Sequence, residues 1–127
     1  QMKKSEESTY CDPSIKKLDL VVAASYGGRW DIINAVNKVK DSQLNRDITE
    51  DYFSNLLSTS AYSDPDLCIR TGNEIRVSNF LLWQLAYSEL YFPTILWPDF
   101  DDNQFDIALE EYSKRVRRFG DKSNFQI

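Results

Sequence analysis

Apolar and polar positions along this chain fall into two kinds of block, short apolar runs of strand length and longer stretches with helical spacing. Leu18 to Ala24, LDLVVAA, is a nearly continuous, valine-rich run. That is the pattern of a strand buried on both faces of a parallel sheet. Gly27-Gly28 then permits a tight strand-to-helix turn with close backbone approach. Beyond it Ile32, Ile33, Ala35, Val36 and Val39 recur at helical spacing, with Asn34, Asn37, Lys38 and Lys40 facing out. Thr49-Glu50-Asp51 reads as a capped helix start feeding Tyr52, Phe53, Leu56 and Leu57, and residues 58–65 read as loop. Leu67 to Thr71 predicts a second buried strand and Phe80 to Ser88 a buried helix. Glu89-Leu90-Tyr91-Phe92 and Ile95-Leu96-Trp97 predict short β-like runs interrupted by Pro93. A last helix is predicted over Asn103 to Phe119, with Gly120 as its C-cap. Residues 1–17 read as the tail of a helix followed by a loop.

Strands separated by helices imply one α/β domain over residues 1–127, built on a mostly parallel sheet flanked by helices. Ligands in such sheets bind beyond the carboxyl ends of the strands. The two turns that follow strands directly, Gly27-Arg29 and Arg70-Arg76, therefore converge on one edge.

Composition narrows the class. The chain has 127 residues, 42% of them hydrophobic and 13% aromatic, which suits a folded domain with a core. No apolar run approaches the length of a membrane span. A net charge of -5 argues against nucleic-acid binding, which needs a basic face. Positive charge is instead local, with Arg70 and Arg76 in one group and Arg115, Arg117 and Arg118 in another, a distribution suited to small anions. The two cysteines, Cys11 and Cys68, are too few for a disulfide framework. Without histidine or a CxxC pair a zinc site is not expected, and a reducing, cytoplasmic setting is.

The chemistry-bearing stretch is Asp64 to Phe100, DPDLCIRTGNEIRVSNFLLWQLAYSELYFPTILWPDF. A strand runs into an arginine-bearing turn, and Ser78-Asn79 opens the predicted helix. Free N–H groups in a helix's first turn, with its dipole, favour an anion, and two arginines can each grip phosphate oxygens in a fork. The pattern predicts a diphosphate site. The bland alternatives are a solvated salt-bridge cluster for Arg70, Glu74 and Arg76, and a plain tight connection for Gly27-Gly28-Arg29. Glu89, after an apolar run, is expected to have a partner or a metal. Phe80, Trp83, Tyr87, Tyr91, Phe92 and Trp97 read as core rather than as a ligand cage, and the Arg115 group as a complement to a helix dipole.

Taken together, AASYGGRWDI (Ala23 to Ile32), the Asp64 to Phe92 motif, LWPDF (Leu96 to Phe100) and RRFG (Arg117 to Gly120) resemble the cis-prenyltransferase (undecaprenyl diphosphate synthase) family. The resemblance spans about Leu18 to Gly120. It implies that family's fold, incomplete at the N-terminus, and a Mg²⁺-assisted condensation of isopentenyl diphosphate with an allylic diphosphate, farnesyl diphosphate being the expected one. Arg70, Arg76 and Ser78 match the residues that hold the isopentenyl diphosphate. Glu89 matches a catalytic glutamate associated with Mg²⁺. Arg118-Phe119-Gly120 matches an Arg-x-Gly motif that reaches a neighbouring subunit's site, so a homodimer is implied, with peripheral membrane contact for product release.

Departures from the family pattern are Asn73 in place of a glycine, Ser25 in place of an asparagine, and Ile75 where some members have histidine. The family's N-terminal Asp-Gly-Asn-Gly-Arg type motif, whose aspartate binds Mg²⁺, has no counterpart here. The expectation is a C-terminal half of the enzyme, inactive alone. The alternative is a non-catalytic partner subunit of a heteromeric cis-prenyltransferase, which has little reason to keep a complete Arg70, Arg76 and Ser78 set.

Overall fold

A computed structural model of the chain describes residues 18–42, 45 and 47–116. At its centre are two short parallel strands, β1 (Leu67–Ile69) and β2 (Glu89–Tyr91), paired Leu67 with Glu89, Cys68 with Leu90 and Ile69 with Tyr91. The ladder continues past both ends, from Glu89 N to the Asp66 carbonyl and from Arg70 N to the Tyr91 carbonyl, each at 2.9 Å. Gly72 N then donates to the Ile95 carbonyl at 2.7 Å, which ties the turn after β1 to the segment after β2.

Three helices accompany this pair, and the last of them packs on β2. Helix α1 (Gly28–Asp41) has Asp31 in its first turn and Lys38 and Lys40 in its last, each charge opposing the nearer end of the dipole. The short α2 (Glu50–Ser54) is capped by Thr49, whose Oγ1 accepts from Tyr52 N at 3.2 Å. Helix α3 (Asp102–Ser113) is capped by Asp101, whose Oδ1 accepts from Gln104 N at 2.9 Å. Pro98 starts a 3₁₀ turn over Trp97–Asp99, so Ile95 to Trp97 is not a strand.

Four expectations are corrected. Residues 18–24 form no strand, and Leu18 and Leu20 are 84% and 83% exposed. A strand needs a ladder partner, and among the described residues the sheet contains only β1 and β2. Phe80 to Ser88 is a run of turns rather than a helix. Leu85 N reaches the Leu81 carbonyl, but Ala86 N and Ser88 N close i→i−3 turns on Trp83 and Leu85, and Leu81 sits in left-handed backbone at φ 43°. Side-chain bonds hold this segment instead, from Trp83 Nε1 to Ser54 Oγ (2.9 Å) and from Gln84 Nε2 to Thr59 Oγ1 (2.7 Å). The last helix stops at Ser113, with Lys114 as its C-cap, because the chain turns to deliver Arg115 to β2. The aromatic residues are mixed: Trp83 packs on Phe53 at 4.7 Å, but Tyr87 and Trp97 are exposed. Gly120, the proposed C-cap, and residues 1–17 lie outside the described residues.

Among the described residues Ala35, Leu57 and Ala108 form the buried apolar core, beside the buried polar Asp31 and Gln84. Polar ties carry much of the cohesion. The departures at Ser25 and Asn73 fall in left-handed backbone, at φ 55° and 57°. Asparagine tolerates that region well among non-glycine residues, so Asn73 can replace a glycine, whereas Ser25 is the less suited residue. Ser25→Asn is expected to raise the unfolding free energy by about 0.5 kcal/mol and Ser25→Val to lower it by ~1–2 kcal/mol. Urea denaturation of the two variants gives the sign of each change.

Candidate functional site

The end of β1 and the turn after it build the site. Gly72 (φ 90°) and Asn73 (φ 57°) both adopt left-handed backbone and fold the chain back over the strand end. Arg70 then reaches along the returning loop. Its Nη1 donates to Ser78 Oγ at 2.7 Å and to the Arg76 main-chain carbonyl. These bonds gather Arg70, Arg76 and Ser78. Arg76 pairs with Glu74 in solvent, an ion pair worth at most about 1 kcal/mol and therefore readily exchanged for a ligand's oxygens.

A cavity of about 340 Å³ opens there. Arg70, Thr71, Arg76 and Ser78 make its polar wall, while Ile69, Val77, Phe80 and Phe92 make an apolar one. Such a cavity suits a small molecule with an anionic head and a hydrocarbon body. Cys68 also lines it, and burial raises its thiol pKa while the charge of Arg70 pulls the other way. Burial thus disfavours the thiolate, the nucleophilic form.

The helix N-terminus expected at Ser78-Asn79 is not formed. Ser78 and Asn79 have φ of 45° and 65°, and Phe80 N is spent on the Val77 carbonyl. Guanidinium groups and a hydroxyl supply the positive potential instead. The Gly27-Arg29 turn does meet this region, but through protein. Gly28 N donates to the Asn79 carbonyl at 2.7 Å and Arg29 N to Asn79 Oδ1 at 2.9 Å.

Glu89 sits apart. It opens β2 opposite Leu67, at the end of the strand pair away from Arg70. Its carboxylate accepts from Arg115 Nη1 at 2.9 Å, and Arg115 also donates to the Leu90 carbonyl at 2.8 Å. Glu89 thus has the partner its setting demands, and Arg115 serves it rather than only a helix dipole. Among the described residues no group of three or more His, Cys, Asp or Glu side chains is gathered as a metal site. Mg²⁺ requires a near-octahedral oxygen shell, commonly one or two carboxylates completed by water and substrate phosphate. A single carboxylate already neutralised by arginine does not fit that requirement by itself. Arg118 and Gly120 lie outside the described residues.

Behind the cradle lies a buried polar support. Asp31, 1% exposed, accepts from Tyr26 Oη at 3.0 Å and from Ser58 N at 2.9 Å. It ties the first turn of α1 to the loop that holds Gln84 through Thr59. Nothing in the sequence marks Asp31 off from an ordinary first-turn acid, nor Asn79 from a helix-opening residue. Each acquires its role from a partner far along the chain.

The family model described as "Putative undecaprenyl diphosphate synthase" matches residues 1–120, and the chain belongs to this family of cis-prenyltransferases. It is 54% identical over 108 residues to the ditrans,polycis-undecaprenyl-diphosphate synthase ((2E,6E)-farnesyl-diphosphate specific) of Photorhabdus laumondii, covering 81% of this chain and 42% of that protein. An isoprenyl transferase of Neisseria gonorrhoeae is also 54% identical, over 103 residues, covering 81% and 41%. The fold matches lavandulyl diphosphate synthase of Lavandula x intermedia, solved with dimethylallyl diphosphate, at a TM-score of 0.73 and 42% identity, over 78% of this chain and 45% of that one. A "probable undecaprenyl diphosphate synthase" of Campylobacter jejuni matches at a TM-score of 0.69 and 38% identity, over 78% of this chain and 46% of that one. The chain thus spans about half the length of the relatives it matches. The α/β fold with a parallel strand pair is that of the cis-prenyltransferases.

The Tyr26–Asp31 pair carries a pH signature. Burial chiefly, then the hydrogen bond to the Asp31 carboxylate and its charge, push Tyr26 up from 10.0 to about 12, with Gln84 opposing. A phenol whose pKa is raised by folding contributes stability that is fully present below its unfolded value. That contribution is lost as pH climbs from about 10 towards 12. Tyr26→Phe should flatten the fall in stability across that interval, as read by urea midpoints at pH 9 to 12 against the parent chain.

Proposed function

We propose that this chain provides the isopentenyl-diphosphate site of a cis-prenyl chain-elongating transferase of the undecaprenyl diphosphate synthase type. One observation carries the reading: Arg70, Arg76 and Ser78 meet on a single cavity that Ile69, Val77, Phe80 and Phe92 also line. Arg70 and Arg76 neutralise the diphosphate, Ser78 donates a hydrogen bond to it, and Val77 and Phe92 face the five-carbon body. Charge neutralisation and positioning are the protein's contribution, with no covalent nucleophile among these residues. In the reaction so served, the alkene of isopentenyl diphosphate forms a carbon–carbon bond to the allylic carbon. The allylic carbon–oxygen bond breaks with its electrons leaving on diphosphate, and a proton is lost to give the new cis double bond. The farnesyl specificity in the name of the Photorhabdus relative makes farnesyl diphosphate the proposed allylic partner.

Mg²⁺ dependence, homodimer formation through Arg118 and Gly120, a cytoplasmic setting and peripheral membrane contact for product release belong to the proposal through the family resemblance. Glu89 enters it as one metal-associated, catalytic carboxylate, with the remaining ligands coming from outside the described residues and from substrate. Among the described residues no helix is long and apolar enough to cross a membrane. The second reading, a non-catalytic partner subunit, is disfavoured by the assembled Arg70, Arg76 and Ser78 set.

Isothermal calorimetry of the chain with isopentenyl diphosphate tests the reading. Saturable binding is expected, and Arg76→Ala should weaken it by roughly 10- to 100-fold, since a charge-assisted bond contributes about 1.5–3 kcal/mol. A folded chain that fails to bind, or an Arg76→Ala variant with unchanged affinity, would sink it.

A further inference from the structure

We propose that Asn79 is a positioning residue for the diphosphate cradle, using the N-terminus of α1 to hold Ser78, and through it Arg70, in their ligand-ready arrangement. This rests on the reading of Arg70, Arg76 and Ser78 as diphosphate ligands. Asn79 is not among the residues that line the cavity, while its neighbour Ser78 is. It is gripped at two atoms by the first two residues of a 14-residue helix: its carbonyl accepts from Gly28 N (2.7 Å) and its Oδ1 from Arg29 N (2.9 Å). Those amides have no intrahelical partner, and Gly27 offers the helix no side-chain cap. Asn79 therefore caps a helix to which it does not belong.

The backbone gives the grip its purpose. Ser78, Asn79 and Leu81 have φ of 45°, 65° and 43°, three non-glycine residues in left-handed backbone within four positions. Such conformations persist only where surrounding structure imposes them. The clamp from α1 is that constraint. Released from it, residues 78–79 would relax and carry Ser78 Oγ away from Arg70 Nη1, now 2.7 Å apart.

The paired glycines supply an independent observation. A Cβ on Gly27 would lie 2.9 Å from Asn79 Nδ2, and one on Gly28 would lie 2.8 Å from Leu82 Cγ and 2.9 Å from Leu82 N. Only glycine lets the start of α1 approach the 79–82 turn this closely. In the described chain Gly27-Gly28 is thus the seat for Asn79, and the two glycine- and arginine-bearing turns form one device.

Calorimetry with isopentenyl diphosphate and with inorganic pyrophosphate, run well below each variant's melting temperature with circular dichroism to verify folding, tests this. Asn79→Ala should weaken both ligands about tenfold or more, and Gly28→Ala, acting from the opposite side of the contact, should do the same. Asn79→Gly keeps the backbone acceptor and the left-handed conformation and removes only the amide. It gives the same direction of change should Asn79→Ala not fold. The decisive measurement is coupling: in a Ser78→Ala background, Asn79→Ala should cost less than a further twofold, because its effect runs through Ser78. A full tenfold loss in that background, or Asn79 variants that bind as the parent does, overturns the proposal and leaves the site's function standing. A parent chain that binds neither ligand removes the reading of the site and this proposal with it.

Discussion

Parallel pairing of β1 with β2 is the constraint from which the site follows. Antiparallel strands can be joined by a two-residue turn, but parallel strands need a long crossover that leaves one end of the sheet and returns to the other. Here the crossover is residues 70–88, and it contains Arg70, Arg76 and Ser78 together. In most α/β units such a connection is a helix, with its own backbone hydrogen bonds to stiffen it. This one is a succession of turns, so its shape is set from outside, by α1 at Asn79, by Ser54 at Trp83 and by Thr59 at Gln84.

That arrangement explains why polar contacts matter so much here. A two-stranded sheet buries little, and the described core is correspondingly thin. Asp31, itself buried, compensates by accepting from Tyr26 and the Ser58 amide, two ties worth about 0.5–1.5 kcal/mol each. The apolar run at 18–24 remains uncovered, with Val22 77% exposed, an edge whose composition favours contact with further protein. The relatives are about twice as long as this chain.

The placement of Glu89 illustrates how position within a sheet separates residues that share a motif. Nineteen positions after Arg70 in sequence, it returns to the sheet at the opposite end from the cradle, because β2 runs parallel to β1. Its carboxylate is balanced by Arg115, which the end of α3 delivers to the strand. Two charged residues that look unrelated along the chain thereby fasten the last described helix to the sheet.

Local signals in the sequence were sufficient wherever the forming interaction is itself local. Thr49 capping α2 and the apolar run of β1 are decided within a few residues, and the Arg70-to-Ser78 spacing already carries the diphosphate reading. The same logic failed at 18–24 and at Phe80 to Ser88. There, apolar composition states only that a segment wants burial, not what will bury it or pair with it. A strand exists only if a second strand arrives, and a helix yields when left-handed residues at 78, 79 and 81 are held by distant partners. Residue types and their order therefore determined which charged and hydroxyl groups the segment offers and the kind of anion they suit. The tertiary structure alone decided that Asn79 caps α1 and that Arg115 neutralises Glu89, because each depends on groups brought together from at least twenty-six positions apart.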